Sequence, residues 1–146
     1  NAEACSSLSE LLSESDVVSL HVPQTTQTNN MFSHAEFFAM KKGAFFINAA
    51  RGSVVDIDAL KEALDAGQIA GAAVDVFPKE PATKDEEFVS PLRGMPNVIL
   101  TPHMAGGHAM QNRSLMGRNA IKEVYNYLTK GLIAYEVRGE MLSHMA

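Results

Sequence analysis

Apolar residues in this chain fall into short runs separated by polar segments, and the spacing within and between the runs predicts alternating helices and strands. Leu8, Leu11 and Leu12 share one helical face over residues 7–13, with Ser7 and Glu10 at capping-box spacing. The segment Asp16-Val17-Val18-Ser19-Leu20-His21-Val22 is rich in valine and nearly continuous in apolar character, the pattern of a strand covered on both faces, and Pro23 stops it. Residues 24–30 are polar and predict a loop. Ser33 and Glu36 repeat the capping spacing ahead of Phe37, Phe38 and Met40, which predicts a helix to about Lys42 closed by Gly43.

Residues 44–48 predict the next strand. Asp56 is a candidate N-cap for a helix in which Ile57, Leu60, Ala63 and Leu64 share a face, and Gly67 stands where a left-handed residue ends it. Residues 71–77 predict a third strand. A long polar connection containing Pro78, Pro81, Pro91 and Pro96 leads to a short strand at residues 98–100, which Pro102 ends. Long unstructured connections inside compact domains usually carry binding or catalytic residues. Beyond a glycine-containing stretch, Ile121, Val124, Tyr125 and Leu128 mark one face of a longer helix ending near Gly131, and the tail after it is weakly patterned.

Strands alternating with helices of this length build right-handed βαβ units, so the fold class is α/β with a parallel sheet in a three-layer α/β/α arrangement. In such sheets ligands gather at the carboxyl ends of the strands. That rule directs attention to the residues just after His21, Asn48, Asp75 and Leu100.

Composition narrows the function classes. The chain has 146 residues, 46% hydrophobic and 20% charged, enough for one buried core. A net charge of -5 without a run of Lys or Arg argues against a nucleic acid partner and against a membrane surface. No stretch approaches the roughly 18 to 20 apolar residues of a membrane helix, and the first residues have no signal-peptide pattern. With Cys5 as its one cysteine, the chain has no internal disulfide, which fits a reducing, cytoplasmic setting. No spacing of His and Cys calls for a metal.

The polar residues at the strand ends carry the chemistry. After the second strand comes Asn48-Ala49-Ala50-Arg51-Gly52, where small residues let a flat ligand approach the backbone and Arg51 can fork onto a carboxylate. Asp75 and Glu80 follow the third strand, and His103 follows the fourth. A histidine that gives and takes a proton suits interconversion of a carbonyl and an alcohol when hydride moves at the adjacent carbon. A carboxylate such as Glu80 beside it would stabilise the imidazolium and set which ring nitrogen faces the substrate. Taken singly, each has a plain structural reading: a solvated arginine at a turn, a loop glutamate before a proline, a histidine that only packs. His21 and His34 read as structural, and His108 as a loop residue.

At these residues the sequence resembles the D-isomer-specific 2-hydroxyacid dehydrogenases. Residues 16–23 resemble that family's strand-end signature. The run from Met40 through Phe46-Ile47-Asn48-Ala49-Ala50-Arg51-Gly52-Ser53-Val54-Val55-Asp56 resembles its arginine motif, and the match continues through Gly71-Ala72-Ala73-Val74-Asp75-Val76-Phe77, Glu80-Pro81 and Asn97-Val98-Ile99-Leu100-Thr101-Pro102-His103. The resemblance implies a catalytic trio in which Arg51 binds substrate, His103 is the acid and base, and Glu80 pairs with His103. It also implies that Asp75 lies near the nicotinamide end of NAD, with Val22, Ala49, Ala50, Arg51, His103, Ala105 and Gly106 lining the cofactor. Asp75 retains the alternative of a buried strand-end carboxylate capping a backbone amide.

Phe88-Val89-Ser90-Pro91-Leu92, with Gly94 and Asn97, resembles the branch that uses 3-phosphoglycerate and 3-phosphohydroxypyruvate, whereas Met104-Ala105-Gly106-Gly107-His108 departs from the Ile-Gly-Gly-Ser-Thr usual there. Alternatives are another D-2-hydroxy acid, a glyoxylate or hydroxypyruvate reductase, or a non-catalytic module that binds a dinucleotide. The Gly-x-Gly-x-x-Gly cradle for pyrophosphate occurs nowhere in the chain, and the resemblance places it upstream of residue 1. Residues 1–130 are therefore expected to be the C-terminal part of a Rossmann-like NAD-binding domain, with residues 131–146 returning to a substrate domain. The expectations that follow are little turnover by the isolated chain, a homodimer for the whole protein, and no choice between NAD and NADP.

Overall fold

Capping and β-branched runs become helices and strands close to where the pattern puts them. The computed structural model describes residues 2–83, 85–106 and 110–144. In chain order the elements are α1 (Leu8–Glu14), β1 (Val17–Leu20), α2 (His34–Ala39), β2 (Ala44–Asn48), a 3-10 turn at Gly52–Val54, α3 (Ile57–Asp65), β3 (Ile69–Val74), β4 (Val98–Leu100), α4 (Met110–Lys130) and a closing 3-10 segment, Gly139–His144. The chain divides into two compact units, Asn1–Pro102 and His103–Ala146.

Local chemistry starts the helices of the first unit. Ser7 caps α1 by accepting the Glu10 N–H. The Glu10 carboxylate takes the Ser6 hydroxyl and amide, which hold its carboxyl below the usual range. At α2 the Ser33 backbone N–H and hydroxyl both donate to the Glu36 carboxylate. Asp56 Oδ1 accepts from the Asp58 and Ala59 amides and opens α3. Gly67, at φ +63, closes it by donating its N–H to Leu64.

The sheet is parallel throughout, in the order β1-β2-β3-β4. Its register sets Leu20 beside Asn48 and Asn48 beside Val74, while Val74 also pairs with Leu100. The ends of all four strands therefore lie along one edge. The core is built on Phe32, Phe37 and Phe46, whose ring centroids lie 5.0–5.6 Å apart. Val18, Leu20, Ala44, Leu60, Ala63, Ile69, Val74 and Leu92 pack into the same cluster.

One expectation is corrected here. The first strand was expected to be covered on both faces, yet its burial alternates, with Val17 52% exposed. Phe45 and Ile99, also on alternate strand positions, are 52% and 66% exposed. The strand order explains this: right-handed crossovers between strands laid down in sequence order put every connecting helix on the same side. The first unit itself thus forms one sheet layer and one helix layer of the expected three.

Smaller differences have local causes. The third strand begins at Ile69, a buried residue paired with Ala44, and leaves the ladder after Val74. Between β3 and β4 the described residues form turns only, as the proline spacing predicts, and buried Leu92 pins the connection to the core. In the second unit α4 begins at Met110, well before the apolar stripe. Its first half is mostly polar and carries no periodic signal. Ile121, Val124, Tyr125 and Leu128 on α4 are exposed.

Candidate active site

The turn after β2 is shaped by one buried side chain. Asn48 is 0% exposed. Its Oδ1 accepts the Ala50 N–H at 3.0 Å and its Nδ2 donates to the Arg51 carbonyl at 3.1 Å. Ala49 is exposed and Ala50 half-buried, so the turn offers two methyl groups and open backbone at the strand end. Arg51 is exposed and extended, and its Nη1 donates to the Ala50 carbonyl at 2.8 Å.

The loop after β3 lies directly against this turn. A Cβ added at Gly52 would stand 2.0 Å from the Phe77 carbonyl carbon and 2.5 Å from the Pro78 nitrogen. The Glu80 carboxylate folds back to accept the Phe77 N–H at 3.0 Å, closing the turn that follows the strand. Phe77 and Phe88 meet edge to face at 4.6 Å, which ties the long connection to the same place.

Asp75, 7% exposed, bridges the strand ends. Its N–H donates to the Asn48 carbonyl at 2.9 Å, and its Oδ1 accepts the Thr101 hydroxyl at 2.5 Å. Thr101 returns its own N–H to the Val74 carbonyl at 3.0 Å. A hydrogen-bonded string therefore runs from the Arg51 turn through Asn48 and Asp75 to Thr101, two residues before His103. Val22, beyond β1, is half-buried and packs on the core.

His103 opens the second unit with φ +52, a left-handed backbone unusual for a residue with a side chain, and it is exposed, as are Ala105 and Gly106. His108 lies outside the described residues. His21 pairs with the Ser19 hydroxyl at 3.0 Å, and His34 stacks on Phe38 at 4.2 Å. Among the described residues, no group of three or more His, Cys, Asp or Glu could hold a metal ion, and no helix is long and apolar enough to cross a membrane.

The first unit thus gathers Ala49, Ala50, Arg51, Asp75 and Glu80 on one sheet edge, while His103, Ala105 and Gly106 belong to the second unit. Sequence reasoning passed over Asn48 and Thr101 as site residues, although both stand inside the quoted motifs. A polar residue ending an apolar strand was the available signal.

Comparison with known proteins gives the family. Over 109 residues, 75% of this chain and 27% of the relative, the chain is 59% identical to a D-3-phosphoglycerate dehydrogenase of Haemophilus influenzae. It is 47% identical over 131 residues to the Escherichia coli D-3-phosphoglycerate dehydrogenase, covering 90% of this chain and 32% of that one. The chain thus spans about a quarter to a third of the length of these relatives. Among solved structures, a D-2-hydroxyisocaproate dehydrogenase superposes with a TM-score of 0.79 at 35% identity, over 90% of this chain and 42% of that chain. Residues 1–105 match the family model described as D-isomer specific 2-hydroxyacid dehydrogenase, NAD binding domain, and this chain belongs to that family.

Proposed function

We propose that these residues form the catalytic half of an NAD-dependent D-2-hydroxyacid dehydrogenase whose substrate pair is 3-phosphoglycerate and 3-phosphohydroxypyruvate. The observation that carries this reading is the edge where the Arg51 turn and the Glu80 loop abut through Gly52, in a chain of this family. The identity to two phosphoglycerate dehydrogenases supports the substrate. Residues 131–146 return, on this reading, to a substrate domain.

The edge suits the nicotinamide end of the cofactor. Exposed Ala49 and half-buried Ala50 leave room for a flat ring, and Asp75 supplies a buried carboxylate beside them. The residues that would line this end are Val22, Ala49, Ala50, Arg51, Asp75, His103, Ala105 and Gly106. The cofactor, when bound, supplies or takes the hydride. With Nη1 kept on the Ala50 carbonyl, Arg51 grips the substrate carboxylate through two of its remaining N–H groups and so orients the carbonyl. His103 gives a proton to the carbonyl oxygen during reduction and takes it back during oxidation, with Glu80 stabilising the imidazolium.

NADH oxidation by the whole protein should be fastest, in kcat/KM, with phosphohydroxypyruvate among that compound, glyoxylate and hydroxypyruvate. The departure at Met104-Ala105-Gly106-Gly107-His108 favours a second reading, in which glyoxylate or hydroxypyruvate leads. NADH binding without turnover of any of the three would leave a binding module in place of an enzyme. The isolated chain, which has no Gly-x-Gly-x-x-Gly, is expected to turn over little.

The whole protein is expected to pair as a homodimer, a reading supported by exposed Ile121, Val124, Tyr125 and Leu128 on α4. Sedimentation velocity should give a dimer mass, and a strictly monomeric species at assay concentrations and above would end this part of the proposal.

A further inference from the structure

We infer that Asn48 is a positioning residue for Arg51, holding the guanidinium where it can meet the substrate carboxylate; the inference rests on the role proposed above for Arg51. The Arg51 side chain is anchored through the carbonyl of the peptide joining Ala50 to Arg51, which accepts its Nη1 at 2.8 Å. The orientation of that one peptide therefore decides where the guanidinium lies. Asn48 grips both neighbouring peptides. Its Oδ1 takes the Ala50 N–H from the peptide before, and its Nδ2 reaches the Arg51 carbonyl in the peptide after.

With both neighbours held, the middle peptide cannot flip without breaking a hydrogen bond inside a site that excludes water from Asn48. The amide is suited to this because it presents one acceptor and one donor at once. Its own place is set from the other side, since the Asn48 carbonyl accepts the Asp75 N–H at 2.9 Å and its backbone is in register with Leu20 and Val74. Gly52 then fixes the far end of the turn against Phe77 and Pro78. The side chain thus transmits the rigidity of the sheet to a flexible, exposed arginine, a function distinct from filling space in the core.

The consequence falls mainly on one ligand. Asn48→Ala frees the middle peptide, so the whole protein should show a KM for the 2-keto acid raised about 10- to 100-fold. Binding of oxamate, a 2-keto acid mimic, should weaken in parallel, and by clearly more than binding of NADH, which on the proposed placement meets the same turn only at its nicotinamide end. Asn48→Asp provides a second arm. Ionised, a carboxylate there can take the Ala50 N–H but repels the Arg51 carbonyl; protonated, it donates to that carbonyl and restores both bonds. The charged neighbours named by the structure are Arg51 on the same turn and Asp75 at the next strand end. The ratio of variant to wild-type KM should therefore fall as the pH is lowered from 8 toward 5.5.

A folded Asn48→Ala protein with unchanged KM for the keto acid, or with NADH affinity reduced as much as oxamate affinity, overturns the inference. If Asn48→Ala does not fold, the Asn48→Asp ratio decides, and a ratio independent of pH counts against it. Should the wild-type protein reduce no 2-keto acid, the functional reading fails by itself. Hydrogen exchange then tests the clamp: the Ala50 amide should exchange at least about tenfold faster in the variants, with the Phe46 amide unchanged, and equal rates at Ala50 would remove the clamp.

Discussion

Gly52→Ala is expected to destabilise the first unit by about 3 kcal/mol or more and to abolish most of the activity of whatever protein remains folded. The added Cβ would stand 2.0 Å from the carbonyl carbon and 2.1 Å from the oxygen of Phe77, and 2.5 Å from the nitrogen of Pro78. These are backbone atoms of the loop after β3, so no side-chain rotation relieves the contact. Relief requires the turn after β2 to move away from the loop after β3. The first carries Arg51 and the second carries Glu80, so the same movement that relaxes the clash separates the two proposed site residues. Gly52 is also buried, at the head of the 3-10 turn that leads into Val54 and Val55 in the core. Urea denaturation should read the loss as a lower midpoint with little change in slope. Gly117→Ala is the matched control. Nothing lies within 4 Å of a Cβ at that exposed mid-helix position in α4, and alanine there should be neutral or stabilising by up to about 1 kcal/mol. An unchanged midpoint for Gly52→Ala would show that the two loops do not bear on each other.

The contrast between these glycines shows where sequence reading stops. The helices and strands were legible because their causes are local: Ser33 and Glu36 sit three residues apart, Asp56 precedes an apolar face, and Pro23 and Pro102 follow the apolar runs they end. The candidate site residues were legible as an ordered set, with Arg51, Asp75, Glu80 and His103 each following a strand. Their support was not. That Gly52 must lack a side chain depends on the Phe77–Pro78 backbone 25 residues away, and nothing in the residues around Gly52 encodes that distance. Asn48 reads from the sequence as a polar end to an apolar strand; only the folded turn shows that its amide meets one donor and one acceptor. The one-sided coverage of β1 escaped for a similar reason. A run such as Val17-Val18-Ser19-Leu20 looks the same whether one face or both are covered, and the answer lies in strand order. For α4 the difficulty is the reverse, since a polar, glycine-containing first half gives no period to read although the helix forms.

His103→Asn should lower kcat of the whole protein by about 10²- to 10⁴-fold while changing the KM for the keto acid only a few-fold. The choice of asparagine follows from the backbone. His103 adopts φ +52, and among residues with side chains asparagine tolerates the left-handed region best, so this variant removes the imidazole without adding strain. Alanine there would mix a conformational penalty with the chemical one. Loss of the imidazole leaves Arg51 and the turn held by Asn48 intact in the first unit, so binding of the substrate carboxylate should persist. What disappears, on the proposed mechanism, is the group that delivers a proton to the carbonyl oxygen as hydride reaches the carbonyl carbon. Without it the developing alkoxide must be met by water, and the barrier rises by the contribution of general acid catalysis, about 3 to 5 kcal/mol. NADH binding, followed by nucleotide fluorescence, should weaken far less than kcat falls, since His103 is one of several residues proposed to line the nicotinamide end. Retention of kcat within threefold would remove His103 from the mechanism. A large rise in KM with unchanged kcat would assign it to substrate binding instead, and the acid and base would then have to be sought elsewhere on the strand-end edge, with Glu80 as the next residue to replace.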